Sequence, residues 1–372
     1  MTAIDHRFVA INVGSGDAFF LQRHGFSALV DGGLAKGFPA QFVRATQRSR
    51  VDVLVCTHND QDHANGVLEF LDAGYGVGEC WLPATWMEAL RRILPGYDEE
   101  TFFGLLLEPE GGDRPLPEQV ERRGESIDAG AIDAMLDDEA QQDPALDDGL
   151  LRVRNGVTVL HRGLGVIQPR TTDMFAEATR IRRIALAAAR RQIPIKWLDP
   201  STPPTNALIP PLAVVNAKQV NAIRGTGLSL RDLMRLTQVN RDSLVLYSPN
   251  DDIAPSVLFS ADSGFAFLVS LPASPGMIVT APHHGAADKD NLAAYDRLKR
   301  ECTGLSETWT WVRSDRGTPV GHSRPCDRYL DQPKRFCTRC RGAGSVGQDV
   351  VLVGGAHSWS SMGSHLCHCT KP

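Results

Sequence analysis

The chain has 372 residues, a formal net charge of −5, 42% hydrophobic and 22% charged residues. This composition excludes collagen-like, coiled-coil and wholly disordered chains, and the length suits one large α/β domain with attachments or two to three smaller ones. No apolar run approaches the ~18–20 residues of a membrane-spanning helix, and no basic stretch precedes the first apolar residues, so the expectation is a cytoplasmic protein with no membrane partner.

In chain order, strand-like runs at residues 8–13, 19–22 and 28–30 alternate with glycine-rich turns. Residues 51–56 form a near-continuous apolar run, the pattern of a strand buried on both faces. A short helix is expected at 65–71. Residues 85–192 read as a helical insertion, with helix-period patterns at 86–94 and 174–191. Between these lies an acidic stretch broken by proline and glycine. Residues 98–150 hold 17 Asp/Glu against three Arg, which leaves the remainder of the chain at +9. Strands resume at 195–198, 243–247, 257–259 and 277–279, and roughly the last 45 residues are rich in Cys and Arg.

The strongest chemical signal is Thr57-His58-Asn59-Asp60-Gln61-Asp62-His63, where the buried strand ends and a helix begins. Imidazoles and carboxylates packed this densely at a turn can converge on a divalent cation. A solvated loop with a helix cap would also place Asp here, but does not require four potential ligands within six residues.

His58-x-Asp60-x-Asp62-His63 resembles the metal motif of the metallo-β-lactamase superfamily. Asp60 in the third place resembles the branch of the ComEC-type competence DNA-uptake hydrolase domains. Gly14-Ser15-Gly16-Asp17-Ala18 looks like that branch's opening turn, and Leu29-Val30-Asp31-Gly32-Gly33 like its second strand. Asn240-Arg241-Asp242-Ser243 resembles the entry to the second half. Leu258-Phe259-Ser260-Ala261-Asp262, Ala281-Pro282-His283-His284-Gly285 and Gly321-His322 with Pro325 resemble the later motifs.

The resemblance implies a four-layer αββα metallo-β-lactamase sandwich over residues 1–325, with the helical acidic insertion at about 85–192 and a Cys-rich C-terminal tail at 326–372. It implies two divalent cations, Zn or Mn. His58 and Asp60 would hold one; Asp62, His63 and His283 or His284 the other; and Asp262 would bridge. Asp31 would support from behind. Asp62, Asp262 and His322 are the expected catalytic residues, His322 as a group that orients or protonates a leaving group. The superfamily's middle histidine has no clear counterpart; His161 is the one histidine between His63 and His283. An oxygen-rich ligand set shifts selectivity from zinc towards harder ions.

Cys337-Thr338-Arg339-Cys340, followed by Cys367-His368-Cys369, has the spacing of a structural zinc site, with His322, Cys326, His365 and His368 as substitute ligands. Cys56, Cys80 and Cys302 read as buried core thiols. Arg180, Arg182, Arg183, Arg190 and Arg191 on one helix, with the basic tail, could contact phosphates, although solvated helix faces are the usual explanation of such clusters. The expected function is a metal-dependent hydrolase of nucleic acid. Its alternatives are a small-molecule hydrolase (lactone, thioester or cyclic nucleotide) and a partner-binding effector that engages a protein through the acidic insertion.

Overall fold

The computed structural model describes residues 6–34, 36–93, 127–128, 169–200, 211–220, 222–223, 243–314, 324–340 and 347–370. The acidic stretch apart from residues 127–128, His161, Asn240-Arg241-Asp242 and His322 lie outside the described residues.

Two large sheets organise the chain. The first contains β1 (Arg7–Ala10), β2 (Phe19–Arg23), β3 (Phe26–Val30), β4 (Arg50–Val55), β5 (Gly76–Pro83), β6 (Ile195–Asp199) and β8 (Lys218–Val220). The second contains β7 (Ala213–Val214), β9 (Leu246–Ser248), β10 (Val257–Phe259), β11 (Ile278–Thr280), β12 (Thr310–Arg313) and β13 (Arg335–Cys337). From the Cys-rich tail, β14 (Val350–Gly355) and β15 (Ser358–Ser361) join the first sheet, β14 pairing with β1. The first sheet therefore runs β15-β14-β1-β2-β3-β4-β5-β6-β8 and the second β13-β12-β11-β10-β9-β7.

Side-chain alternation along these strands divides the core. Phe8, Ala10, Phe19, Leu21, Val53 and Val55 of the first sheet share one buried cluster with Leu246, Phe259, Ile278 and Val312 of the second. Val9, Phe20, Leu29 and Leu54 point the opposite way, into a cluster with helices α1 (Phe38–Thr46), α2 (Gln61–Asp72), α3 (Thr85–Ile93) and α4 (Pro169–Arg190). The Phe42 and Phe70 rings meet there at 5.0 Å in a T-shape. Truncating either to Ala should cost about 3–5 kcal/mol. Tyr247, Leu258, Val279 and Trp311 pack with Ala294, Tyr295 and Leu298 of α5 (Lys289–Glu301). The period-2 pattern of each strand thus serves two apolar environments. Among the described residues, no helix is long and apolar enough to cross a membrane.

Two differences from the sequence reading bear on the site. Helix α2 begins at Gln61, four residues before the expected start, so Asp62 and His63 occupy its first turn. Asp60 precedes it in an extended conformation, and an acid next to a helix N-terminus is favoured by the helix dipole. Helix α4 starts at Pro169, five residues before the helix-period pattern at 174–191, and its Ile181, Ile184, Ala185 and Ala188 are fully buried in the α2 cluster.

Candidate metal centre

The expected ligands lie at the carboxyl ends of strands in both sheets. Asp31 follows β3, and Thr57 and His58 follow β4; Asp262 follows β10, and His283 and His284 follow β11. Close backbone approach makes this convergence possible. Gly32 N donates to His63 O at 2.9 Å, and Gly66 N to Gly33 O at 3.0 Å. A Cβ on Gly66 would run into the Gly32 backbone, and one on Gly16 into Asp62. Glycine is required at both points because helix and turn touch main chain to main chain.

Asp262 is central and 4% exposed. Its Oδ1 lies 3.2 Å from His63 Nε2 and 3.5 Å from His284 Nε2. Its Oδ2 lies 3.7 Å from His58 Nε2 and 3.4 Å from His283 Nε2. Asp62 Oδ2 stands 3.3 Å from His284 Nε2, and Asp60 Oδ2 3.6 Å from His58 Nε2. The structure therefore sorts the adjacent histidines into different halves, His284 with Asp62 and His63, and His283 on the His58 side.

The other ring nitrogens are fixed from behind. Asp31 Oδ1 accepts from Thr57 N at 2.8 Å, and Oδ2 from the Thr57 hydroxyl at 2.7 Å. Asp31 Oδ2 also accepts from His63 Nδ1 at 2.8 Å. The Thr57 hydroxyl has spent its hydrogen on Asp31, so at 3.0 Å it accepts from His58 Nδ1. Asp17 Oδ1 accepts from His284 Nδ1 at 3.0 Å, and Asp288 Oδ2 from His283 Nδ1 at 2.8 Å. Each histidine consequently turns its Nε2 lone pair inward, the orientation that carboxylate partners impose on metal-binding histidines.

This arrangement tests whether a cation fits. His63 Nε2 and His284 Nε2 face each other at 3.1 Å with both Nδ1 protons committed elsewhere. Two lone pairs at that distance repel unless a proton or metal ion lies between them. His58 Nε2 and Asp262 Oδ1 are buried without a hydrogen-bond partner. A buried polar atom left in this way is costly unless a ligand completes it. Burial by itself lowers the His63 pKa, but Asp262 and Asp31 outweigh it and raise it well above the ordinary imidazole range. Burial is likewise overcome at His284, where Asp17 and Asp262 raise it. At Asp262 burial raises the pKa, while His284, His63 and His58 together hold it well below the carboxylate range. The donor set fits divalent cations: Asp262 belongs to two groups of converging ligand atoms, one with Asp17, His63 and His284, the other with His58 and Asp60.

Strain accompanies the site. Ala261, His283 and His284 have φ of 46°, 44° and 52°. Such left-handed residues are costly without glycine and concentrate at functional sites. His283 N donates to Ala261 O at 2.9 Å, which ties the two turns together. The solvent-facing rim is formed by the side chains of Asp60, Asp62 and His283, 33%, 27% and 22% exposed respectively. Arg324 Nη2 lies 3.1 Å from His283 Nε2 at that rim.

Two residues take roles here that the sequence reading did not give them. Asp17 is one, although its place after Gly14-Ser15-Gly16 marks a tight turn. Arg180 is another. It is 7% exposed and donates to Asn59 O from both Nε and Nη2, at 3.1 and 2.6 Å, bracing the ligand loop. Arg183 bonds Asp72 at 2.9 Å, and Arg191 reaches Leu71 O at 3.0 Å. These arginines of α4 are engaged by protein partners.

The four tail cysteines converge as well. Sγ separations are 3.7 Å for Cys337–Cys369, 3.8 Å for Cys340–Cys367 and 3.5 Å for Cys340–Cys369. Cys56, Cys80 and Cys302 are buried free thiols, and burial pushes the Cys80 thiol up to about 12.

A search of curated proteins gives no match to this chain. The segment that carries Asp17, Asp31, His58, Asp60, Asp62 and His63 does match: residues 11–136 fit the family model of the metallo-beta-lactamase superfamily, whose members are mostly metal-dependent hydrolases.

Proposed function

We propose that this chain is a metal-dependent hydrolase that cleaves phosphodiester bonds in DNA or RNA. The observation that carries the reading is the Asp262 carboxylate, with Oδ1 towards His63 and His284 and Oδ2 towards His58 and His283. One carboxylate facing two ligand sets suits a pair of divalent cations, zinc or manganese. Such a pair, when bound, would supply Lewis-acid polarisation of a phosphoryl oxygen and activation of water.

The chain's own groups do the positioning. Asp31 and Asp17 hold the Nδ1 protons of His63 and His284, so the Nε2 atoms stay turned inward. Asp60 and Asp62 line the open rim, where a polyanion's phosphate can approach. Arg324, beside His283, is placed to bind a non-bridging phosphate oxygen. The nucleic-acid substrate rests on this cation, on the oxygen-rich ligand set and on the ComEC-like motif order. The same reading takes the three core clusters as the joints of a four-layer αββα sandwich.

The test is incubation of the purified full-length chain with single- and double-stranded DNA and RNA under Mn²⁺, Mg²⁺ and Zn²⁺. Metal-dependent cleavage that Asp262→Asn lacks is the expected result. Turnover confined to lactones, thioesters or cyclic nucleotides would overturn the nucleic-acid substrate. Absence of any metal-dependent turnover would overturn the hydrolase.

A further inference from the structure

We propose that Cys337, Cys340, Cys367 and Cys369 hold one zinc ion as a tetrathiolate, and that this anionic cluster positions the His283–His284 turn through Arg313. Zinc–sulfur bonds of about 2.3 Å directed to the corners of a tetrahedron separate the sulfurs by about 3.8 Å. The observed contacts of 3.7, 3.8 and 3.5 Å agree with that edge and are far from the ~2.05 Å of a disulfide. Backbone N–H groups also point at the sulfurs, Cys340 N at Cys337 Sγ (3.3 Å) and His368 N at Cys340 Sγ (3.0 Å). Donors aimed at sulfur favour thiolate over thiol, and zinc requires the thiolate.

The cluster joins parts of the fold that no strand ladder joins. Cys337 ends β13 at the edge of the second sheet, whereas Cys367 and Cys369 follow β15 of the first. A bound ion would therefore staple one sheet to the chain leaving the other.

Arg313 links this staple to the metal centre. It is 0% exposed and pairs in register with Cys337, and its carbonyl accepts from Thr338 N at 3.1 Å. Its Nη2 lies 3.9 Å from Cys369 Sγ, and its Nη1 donates to His284 O at 3.4 Å. Its Cδ leaves 3.2 Å to where a Cβ on Gly285 would stand. Four thiolates around a divalent ion carry a net charge of −2, a counter-charge for a guanidinium taken out of water. Held from that side, Arg313 bonds the turn in which His283 and His284 adopt left-handed backbone. A tail ion thus helps decide where His284 Nε2 points, and the coupling stands whatever substrate the centre cleaves.

The test reads metal binding on the full-length chain. With Co²⁺ replacing the tightly held ion, the protein should show the intense visible bands and near-ultraviolet sulfur-to-metal band of a tetrathiolate. Cys337→Ser with Cys340→Ser should remove both. Arg313→Met should keep the cobalt spectrum while Mn²⁺ affinity at the Asp/His centre, read by electron paramagnetic resonance, falls about 10–100-fold. Arg313→Lys, which keeps the charge, should recover part of that loss. If Arg313→Met does not fold, the Lys variant and Cys369→Ser replace it, each expected to weaken Mn²⁺ binding. A metal-free native tail whose four thiols titrate freely would overturn the zinc site. Unchanged Mn²⁺ affinity in a folded Arg313 variant would overturn the positioning role.

Discussion

The two ligand clusters of this molecule are assembled in opposite ways. The cysteines come as two close pairs, three and two positions apart in sequence, brought together where β13 of the second sheet meets the chain that follows β15 of the first. The Asp/His centre draws on turns after four strands, and one of its supporting bonds, His284 to Asp17, spans 267 positions. The cysteine cluster is a closed group of four soft ligands, suited to hold an ion for structure. The Asp/His centre is a mixed oxygen and nitrogen set with an exposed rim, the open arrangement that chemistry requires. A spacing-coded site has each half assembled by a local pair, so the fold need only bring two pieces together. A topology-coded site depends on both sheets being in place.

The sharpest way to break this contrast is Asp262→Asn. Because both halves of the centre share this carboxylate, hydrolytic turnover should fall about a thousandfold or more, the scale of several kcal/mol of lost electrostatic stabilisation. The tail ion should stay, which elemental analysis would show. Loss of the tail ion together with the centre's ions would mean that the tail site needs an occupied centre.

Asp31→Asn should act less strongly and on binding. It keeps the size of the group that touches His63 and Thr57 but weakens its hold on the His63 proton. Metal affinity at the centre should drop about 10–100-fold in a calorimetric titration, and Asp17→Asn should do the same through His284. Wild-type affinity in both variants would show that the inward lone pairs need no support from behind.

A chelator series orders the two clusters directly. Ions bound at the exposed rim of Asp60, Asp62 and His283 should leave first, at chelator concentrations that spare the tetrathiolate. Simultaneous loss would contradict the open-versus-closed distinction.

The smallest effect concerns a third convergence, His6, His24 and Asp251. Arg23 Nη1 shares the Asp251 carboxylate at 3.0 Å, so this group is an ion-pair node between the first strands and the β9–β10 turn. Partial burial raises the Asp251 pKa, but N–H bonds from Ala254 and Ile253, with Arg23 and His6, bring it down to about 2. A depressed carboxylate stabilises the fold above its unfolded value of 3.8 and loses that contribution as pH falls through about 2. Asp251→Asn should therefore lower Tm at pH 7 by roughly 2–4 °C. The gap to the parent should shrink in acid, and metal content should not change. A pH-independent gap would place the effect in packing rather than charge.

Much of the first sheet was legible because its strands are apolar on both faces; the run at 51–56 falls almost wholly within β4. β5 was missed: Gly76, Gly78 and Pro83 look like turn residues, yet this strand is held between two parallel neighbours, β4 and β6. α5 was missed for the opposite reason. Lys289–Glu301 is mostly charged, and its buried stripe is reduced to residues such as Ala294, Tyr295 and Leu298. Asp288 starts it by accepting from Asn291 N at 2.9 Å while also holding His283. The early start of α2 escaped because Asp62 and His63 read as loop chemistry, whereas the helix N-terminus accommodates them.

The sequence by itself determined which residues can bind metal, their order along the chain and the pairing of the tail cysteines, because those depend on residue type and short spacing. Tertiary structure alone decided that Asp262 offers one oxygen to each half, and that His283 and His284 part company. It also decided that Asp17 and Asp31 aim the rings, and that Arg313 lies between the two clusters. Those relations depend on the alignment of strand ends from two sheets, and no local pattern encodes the distance between groups that only the packed sheets bring within about 3–4 Å.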